Sequence, residues 1–255
     1  MDTALEAFKA RFRFSPDRAG LIGIEREVFV VNRLLVPVPR APQILSDLAD
    51  DRRFTYELSA CQVEMRTNAG SVDRVGEELI ELDMRVRSVA RKHGCVIDCT
   101  EVATPGMNLS VYPDPTGRYQ RIVRRMPLET LKAACRIIGT HIHYGAADHE
   151  SALALYNRLI KEVPRLIAMG DNSDGERMRL YRTVAPDCDP PPYGSWNDFY
   201  RDAERHGFLE DPRKNWRLVR MTPHGTVEAR TFGVTKRLDT TLTWAREYHA
   251  LCAHA

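Results

Sequence analysis

The order of apolar and polar positions along the chain predicts strands and helices that do not alternate regularly. Residues 21–32 (LIGIEREVFVVN) are rich in β-branched and aromatic residues, and residues 61–67 (CQVEMRT) alternate in polarity, so both segments are predicted as strands. Between residues 72 and 89 apolar side chains recur three and four positions apart, which predicts a long helix. Ser71 is a good N-cap for this helix, and Gly94 stands where its C-terminal glycine belongs.

The rest of the chain continues in the same mixed order. Further strands are predicted at 95–100, 136–145, 216–221 and 225–234, and further helices beginning at 118 and covering 150–169, 196–205 and the C-terminal tail. Pro164 should kink or divide the helix over 150–169, because proline lacks a backbone donor and clashes with the preceding turn. Since strands and helices do not alternate one by one, we expect an α+β fold with an antiparallel sheet.

Composition and charge exclude several classes of protein. The 255 residues carry 37 basic and 35 acidic side chains, a net charge of +2, which argues against a general nucleic-acid binder. There is no run of ~18 apolar residues, and the N-terminus lacks the apolar segment of a signal peptide, so we expect a cytoplasmic protein with no membrane partner. The six cysteines form no C-x-x-C pair, and we expect buried, reduced thiols.

The heptapeptide GTHIHYG, residues 139–145, places two imidazoles on one side of a predicted strand. Because side chains alternate along a strand, His141 and His143 point the same way, and Ile142 and Tyr144 point the other way. The pair is either two satisfied interior histidines or part of a metal or phosphate site. The second interpretation requires partners elsewhere in the chain.

Acidic residues recur inside the other predicted strands. Glu25 and Glu27 share one face of the first strand, where they repel each other unless solvent or a cation lies between them. Glu57 and Glu64 are an odd number of positions apart, so a turn near residues 59–60 is needed to bring both to the same face.

Glu228 and Arg230 share a face of the strand at 225–234. Each acidic residue alone fits the solvated face of an ordinary antiparallel sheet. Five carboxylates and a histidine together indicate a polar, concave face that binds a hard cation such as Mg²⁺, which prefers oxygen ligands and often keeps phosphate oxygens. Arg230 suits a phosphate contact, but no P-loop and no G-x-G-x-x-G motif is present, so a nucleotide site would be of another kind.

Four segments, GIEREVFVVN, CQVEMRT, GTHIHYG and GTVEARTF, occur in the order and spacing found in glutamate–cysteine ligase family 2. The chain resembles this family from about residue 20 to about residue 235. The resemblance implies the fold of the glutamine synthetase catalytic region, an antiparallel sheet curved into a polar cup with helices on its outer face. It also implies ATP and Mg²⁺ as cofactors and a small-molecule acid and amine as substrates, and it leaves a homo-oligomer open.

By position, the resemblance also implies roles for individual residues. The implied metal-binding set consists of Glu25, Glu27, Glu57, Glu64, His143 and Glu228. Glu228 and Arg230 are the implied catalytic residues, and Arg230 with Thr226 would contact the nucleotide. The implied substrate-binding residues are Tyr181, Arg182, His141 and Arg118.

The implied activity is an ATP- and Mg²⁺-dependent ligation of a glutamate-like carboxylate to an amine through an acyl phosphate, with release of ADP and phosphate. Two alternatives stay open, an ATP:guanidino phosphotransferase of the same fold and a degenerate, non-catalytic binding subunit. We interpret residues 1–255 as a single catalytic domain without the C-terminal helical region common in the family. Two further departures are Gly233, where the family usually has Asp, and Trp216–Arg217, where it usually has Trp-Asp.

Overall fold

Strand β1 (Ile22–Val31) lies inside the sheet of the computed structural model, which describes residues 3–253. Its side chains alternate in burial over most of its length. Ile24 and Val28 are buried in the core, whereas Glu25 and Glu27 are only partly buried on the opposite face. The predicted sharing of one face by the two carboxylates is therefore confirmed, and we call this side of the sheet the cup face.

The remaining elements follow the predicted mixed order. The other strands are β2 (Phe54–Tyr56), β3 (Gln62–Arg66), β4 (Val96–Asp98), β5 (Thr140–Gly145), β6 (Val219–Thr222) and β7 (Thr226–Phe232). The helices are α1 (Thr3–Lys9), α2 (Ala41–Asp47), α3 (Val72–Lys92), α4 (Arg118–Val123), α5 (Leu128–Arg136), α6 (His149–Gly170), α7 (Glu176–Val184), α8 (Trp196–Arg205) and α9 (Leu238–Ala253).

The strands form one open antiparallel sheet with the hydrogen-bonded order β2-β3-β1-β5-β7-β6. Strand β4 pairs with the end of β1, on the same edge of β1 as β5. Helix α3 packs on β1, β3 and β4, α6 on β6 and β7, and α9 on β5. This arrangement confirms the predicted α+β class with an antiparallel sheet and helices on one of its faces.

Helix α3 is joined to the back of β1 by a buried ion pair. Arg26 points away from the cup face, is fully buried, and donates to Asp83 of α3 at 2.8 Å and to the Thr235 carbonyl. Both predicted ends of α3 are confirmed, since Ser71 caps its N-terminus and Gly94 adopts φ +68° just after its C-terminus. A buried charge of this kind requires its partner, so the pair fixes how α3 sits on β1.

Two apolar clusters fill the space between the sheet and the helices, one behind β5–β7 and one behind β1 and β3. Helix α6 runs past Pro164 without being divided, because buried leucines such as Leu159 and Leu166 hold it on both sides of the proline. The strand predicted at 136–145 begins only at Thr140, since Arg136 is the last residue of α5 and residues 137–139 connect the helix to the strand.

The cysteine prediction is confirmed, because all six thiols are free and buried. Helices α1, α2, α5 and α7 were not predicted, because each is short and repeats the helical period only two or three times. Within residues 3–253, no helix combines the length and apolar character needed to cross a membrane.

Gly233 follows β7 at a position with no room for a side chain, because a Cβ there would overlap the carboxylate of Glu101. Glu101 is buried and accepts hydrogen bonds from the amides of Asn172 and Val234 at 3.0 and 3.3 Å. We expect Gly233→Ala to lower the free energy of unfolding by ~1–3 kcal/mol through overpacking. Urea unfolding should also show that Gly233→Ala costs less when Glu101 is replaced by Ala.

The matched control is Gly23→Ala, since nothing lies within 4 Å of a Cβ at Gly23. This variant should leave the unfolding midpoint almost unchanged. Additive losses in the Gly233→Ala/Glu101→Ala double variant would contradict the proposed overlap between these two residues.

Candidate active site

The register of neighbouring strands brings acidic and histidine side chains together on the cup face. Glu25 of β1 lies opposite His141 of β5, and His143 lies opposite Glu228 of β7. On the other edge of β1, Glu27 lies opposite Glu64 of β3. Directly opposed residues share one face of a sheet, so four strands supply side chains to one site.

His141 lies between the two carboxylates of β1. Its Nδ1 is 3.2 Å from Glu25 Oε2, and its Nε2 is 3.8 Å from Glu27 Oε1. Burial and the nearby charge of Arg230 lower the pKa of His141 to about 4, so the ring is neutral at neutral pH. Glu25 and Glu27 are therefore separated by a polar ring and not by bulk solvent.

His143 has one ring nitrogen satisfied and one free. Its Nδ1 is 2.9 Å from the hydroxyl of Thr226, whereas its buried Nε2 has no hydrogen-bond partner and lies 3.6 Å from Glu25 Oε1. Burial lowers the pKa of His143, but the negative charges of Glu228 and Glu25 outweigh burial and raise it. In its neutral form this buried imidazole, whose Nε2 has no hydrogen-bond partner and faces a carboxylate, is suited to bind a cation.

A turn at residues 57–61 brings Glu57 onto the cup face beside Glu64, as the odd spacing of these residues required. Together with Glu27 they form a group of three carboxylates whose oxygens lie within 4.8 Å of one another. Burial and the charge of Glu57 raise the pKa of Glu27 to about 8. Burial and the neighbouring carboxylates also hold the pKa of Glu64 well above its usual value.

Three overlapping groups of side chains have the geometry to bind a metal ion. They are Glu25–His143–Glu228, Glu25–Glu64–His141 and Glu27–Glu57–Glu64. The donors are carboxylate oxygens with at most one imidazole in each group, which suits Mg²⁺ better than a softer metal. His141, assigned to substrate by the resemblance, thus lies among the candidate metal ligands.

Glu228 is fully buried and held by two arginines. Arg220 Nε lies 2.6 Å from Glu228 Oε2, and Arg230 Nη1 lies 2.7 Å from Oε1. Burial opposes ionisation of Glu228, but the charges of Arg220 and Arg230 outweigh burial and hold its pKa far below its usual value. Arg230 also donates to the Tyr181 hydroxyl, which in turn donates to the Trp216 carbonyl.

A cavity of about 1130 Å³ opens over the cup face. Its lining includes the six residues of the predicted metal set, together with His141, Arg118, Tyr181 and Arg230. Arg182 lies outside this lining, is exposed, and its guanidinium is 3.3 Å from Asp189. Consecutive residues on a helix diverge by about 100°, so only Tyr181 of the predicted pair faces the cavity.

Thr226 also lies outside the cavity lining. Its hydroxyl interacts with His143 and with the Thr222 hydroxyl, so in the structure it orients the imidazole. In the structure this residue therefore supports His143, and its contact with a nucleotide stays a prediction.

Sequence reasoning missed Arg220 and Arg177. Arg220 is opposite Glu228 in the β6–β7 pairing, which the short turn at 223–225 could have indicated. Arg177 of α7 is buried, lines the cavity and donates to the carbonyls of Ile138 and Arg230 at 2.9 and 3.1 Å. No local sequence pattern marks Arg177, because its contacts come from distant strands.

The open antiparallel sheet with its polar face has the same fold as two solved structures. The glutamate–cysteine ligase of Francisella tularensis, solved in complex with AMP, is similar with a TM-score of 0.57 and 15% identity, covering 92% of this chain and 66% of that one. A bifunctional glutathione synthetase from Pasteurella multocida has a TM-score of 0.59 and 11% identity, covering 91% and 38%. These two likenesses concern the fold.

The sequence comparisons identify the family. The model of glutamate–cysteine ligase family 2 matches residues 21–245, and the chain belongs to this family. A glutamate–cysteine ligase from Natronomonas pharaonis is 28% identical over 239 residues. The match covers 84% of this chain and 64% of that protein, so the chain spans less than two thirds of its relative.

The raised pKa of Glu27 predicts how stability depends on pH without added divalent cation. The folded protein keeps a proton on Glu27 up to about pH 8, whereas an ordinary glutamate, with a pKa of 4.5, has released it. Since the folded state binds more protons, the free energy of unfolding should fall as the pH rises from about 5 to about 8. Glu27→Gln should reduce this slope in urea unfolding at several pH values.

Glu77→Gln is the matched control, because Glu77 is exposed on α3. It should keep the wild-type slope. An unchanged slope in Glu27→Gln would mean that Glu27 ionises normally in the folded protein.

Proposed function

We propose that the cup face binds Mg²⁺ and ATP and that the protein joins a carboxylate to an amine through an acyl phosphate. The observation that carries this proposal is the buried, unpartnered Nε2 of His143, which faces Glu25 within a group that also contains Glu228. Membership of the ligase family supports the reaction class. The AMP complex of the Francisella relative supports a nucleotide at this fold.

The chain supplies three candidate metal groups. Glu25 belongs to two of them, and Glu64 also belongs to two. Bound Mg²⁺ would neutralise phosphate charge and polarise the transferred phosphoryl group. The raised pKa values of Glu27 and Glu64 mean that cation binding must displace protons from them at neutral pH. Glu25 and Glu228 are ionised without a cation, because histidines and arginines hold their pKa values low.

Arg230 is the residue we assign to the transferred phosphoryl group. Its guanidinium is held by Glu228 on one side and by Tyr181 on the other, so its orientation is set before substrate binds. In the first step a carboxylate oxygen attacks the γ-phosphorus of ATP and the bond to ADP breaks. In the second step the amine nitrogen attacks the acyl carbon, phosphate leaves, and the nitrogen loses a proton. Fixed positive charge favours the first step by stabilising charge on the phosphoryl oxygens.

We retain Arg118 and Tyr181 as substrate-contacting residues, because both line the cavity. Arg182 is left out of this set, since its side chain is exposed beside Asp189. His141 is a ligand or a support for one, because it contacts Glu25 and approaches Glu27.

The first test of this proposal concerns binding. Mg²⁺ with ATP should raise the thermal midpoint of the wild type, because a ligand in ~100-fold excess over its Kd stabilises the folded state by ~2.7 kcal/mol. For a domain of this size that corresponds to ~2–4 °C per kcal/mol. His143→Ala should lose most of this shift, while His93→Ala, which removes an imidazole near Asp47, should keep it. No shift in the wild type at millimolar Mg–ATP would reject the nucleotide site.

The second test concerns the reaction. Arg230→Lys should lower kcat for ADP release by about 100-fold or more, since an ammonium cannot span Glu228, Tyr181 and a phosphoryl group. Arg182→Lys, outside the cavity, should retain wild-type turnover. A screen of acids with hydroxylamine as the amine would report ligation as hydroxamate formation. An acid that supports amide formation but never hydroxamate would contradict an accessible acyl phosphate.

A further inference from the structure

The cavity contains more positive charge than its carboxylates can pair. Its lining includes five glutamates and nine arginines or lysines. Arg220 and Arg230 pair with Glu228, Arg213 pairs with Asp211, and Arg177 is satisfied by backbone carbonyls. The remaining five are cations without a carboxylate within 4.0 Å in the part of the chain that the structure describes.

Four of these unpaired cations are not explained by the proposed reaction. We call Arg121, Arg124, Arg125 and Lys214 the cationic lip. All four are exposed side chains that nevertheless line the cavity. Within residues 3–253, Arg121 donates to a backbone carbonyl, and no contact pairs the other three with an acid. An ordinary charged surface mixes both signs, whereas these four cations line one cavity with no carboxylate within 4.0 Å in residues 3–253.

The lip is formed by two separate segments that are fixed in place. Asp114 accepts hydrogen bonds from the amides of Thr116, Arg118 and Tyr119, which anchors the start of α4. Although burial opposes it, these bonds lower the pKa of Asp114 to about 2, so the anchor is ionised. The arginines therefore lie on α4 or just after it, whereas Lys214 ends a short 3-10 helix, Pro212–Lys214, far along the chain.

The proposed reaction assigns no role to the lip. Under the proposed function, on which this step depends, Mg²⁺ held by the cup-face carboxylates, together with Arg230, binds the phosphates of ATP, and Arg118 contacts a substrate carboxylate. We infer that the lip binds a further anionic group of the acid substrate, a third carboxylate or a phosphate. Guanidinium groups bind both kinds of anion through paired hydrogen bonds, so both sources share one chemistry.

The acid substrate therefore carries more negative charge than a simple dicarboxylate. Opposite charges that meet at a partly enclosed surface add affinity and are weakened by salt. The lip would select such acids over shorter or less charged ones, because an acid without the extra anion leaves repelling cations unpaired.

Titration calorimetry of the full chain with three probes tests this inference. Glutarate has two carboxylates, tricarballylate has three, and O-phosphoserine adds a phosphate to one carboxylate. We expect tricarballylate, O-phosphoserine or both to bind at least about tenfold more tightly than glutarate, with the difference falling as salt is added. Preference between these two probes distinguishes a carboxylate from a phosphate as the further anion.

The variant Arg124→Gln/Arg125→Gln should lose at least about tenfold of the affinity for the preferred probe and little of that for glutarate. Arg33→Gln/Arg201→Gln is the matched control, because it removes two exposed arginines outside the cavity lining. It should bind all three probes as the wild type does.

Wild-type protein that fails to prefer either polyanionic probe overturns the inference. So does a lip variant that loses affinity only for Mg–ATP, since the lip would then belong to the nucleotide. The proposed function can fail independently of the lip. Tight binding of a polyanionic probe without any ATP turnover would support anion binding by the lip and reject the ligase activity. ATP turnover that Arg124→Gln/Arg125→Gln leaves unchanged would support the ligase activity and reject a role of the lip in binding the acid.

Discussion

The site depends on keeping one carboxylate ionised where no water reaches it. Glu228 has no exposed surface, and an isolated carboxylate in such a place would take up a proton. Arg220 and Arg230 prevent this by approaching its two oxygens from neighbouring positions of the β6–β7 pair. Because Glu228 is also directly opposite His143, the charge fixed on β7 reaches β5 and, through Glu25, β1. The charged side chains of β6, β7, β5 and β1 therefore interact with one another across the sheet.

The carboxylates of the cup face form two groups, one with lowered and one with raised pKa values. Glu25 and Glu228 are paired with histidines or arginines and remain charged. Glu27, Glu57 and Glu64 face mainly one another, and burial raises the pKa of each. One side of the site therefore carries charge at neutral pH, whereas the carboxylates of the other side have raised pKa values and hold protons more strongly. This division follows the sheet, since the second group lies on the β1–β3 edge.

Features set by local periodicity could be predicted from the sequence. The shared face of Glu25 and Glu27, that of His141 and His143, and the capping of α3 depend only on spacing and on residue type. Features that depend on contacts between segments far apart in the chain could not be predicted. Arg220 matters because of its register with Glu228, and Arg177 because it donates to the carbonyls of Ile138 and Arg230. The family resemblance implied a substrate contact for Arg182 together with Tyr181, but Arg182 lies on another side of helix α7 and is exposed beside Asp189.

The alternation of side chains over the first part of β1 links the register of the sheet to the position of the acidic residues. Odd-numbered positions provide Glu25 and Glu27 to the cup face, and the position between them provides Arg26 to the ion pair with Asp83. A slip of one residue would exchange the two faces, burying both glutamates behind the sheet and turning Arg26 towards the cup face. Insertion or deletion of a single residue within β1 would therefore be more damaging than most substitutions there. A change in the length of β1 between Ile22 and Val31 therefore keeps its side chains on their present faces only when it adds or removes two residues.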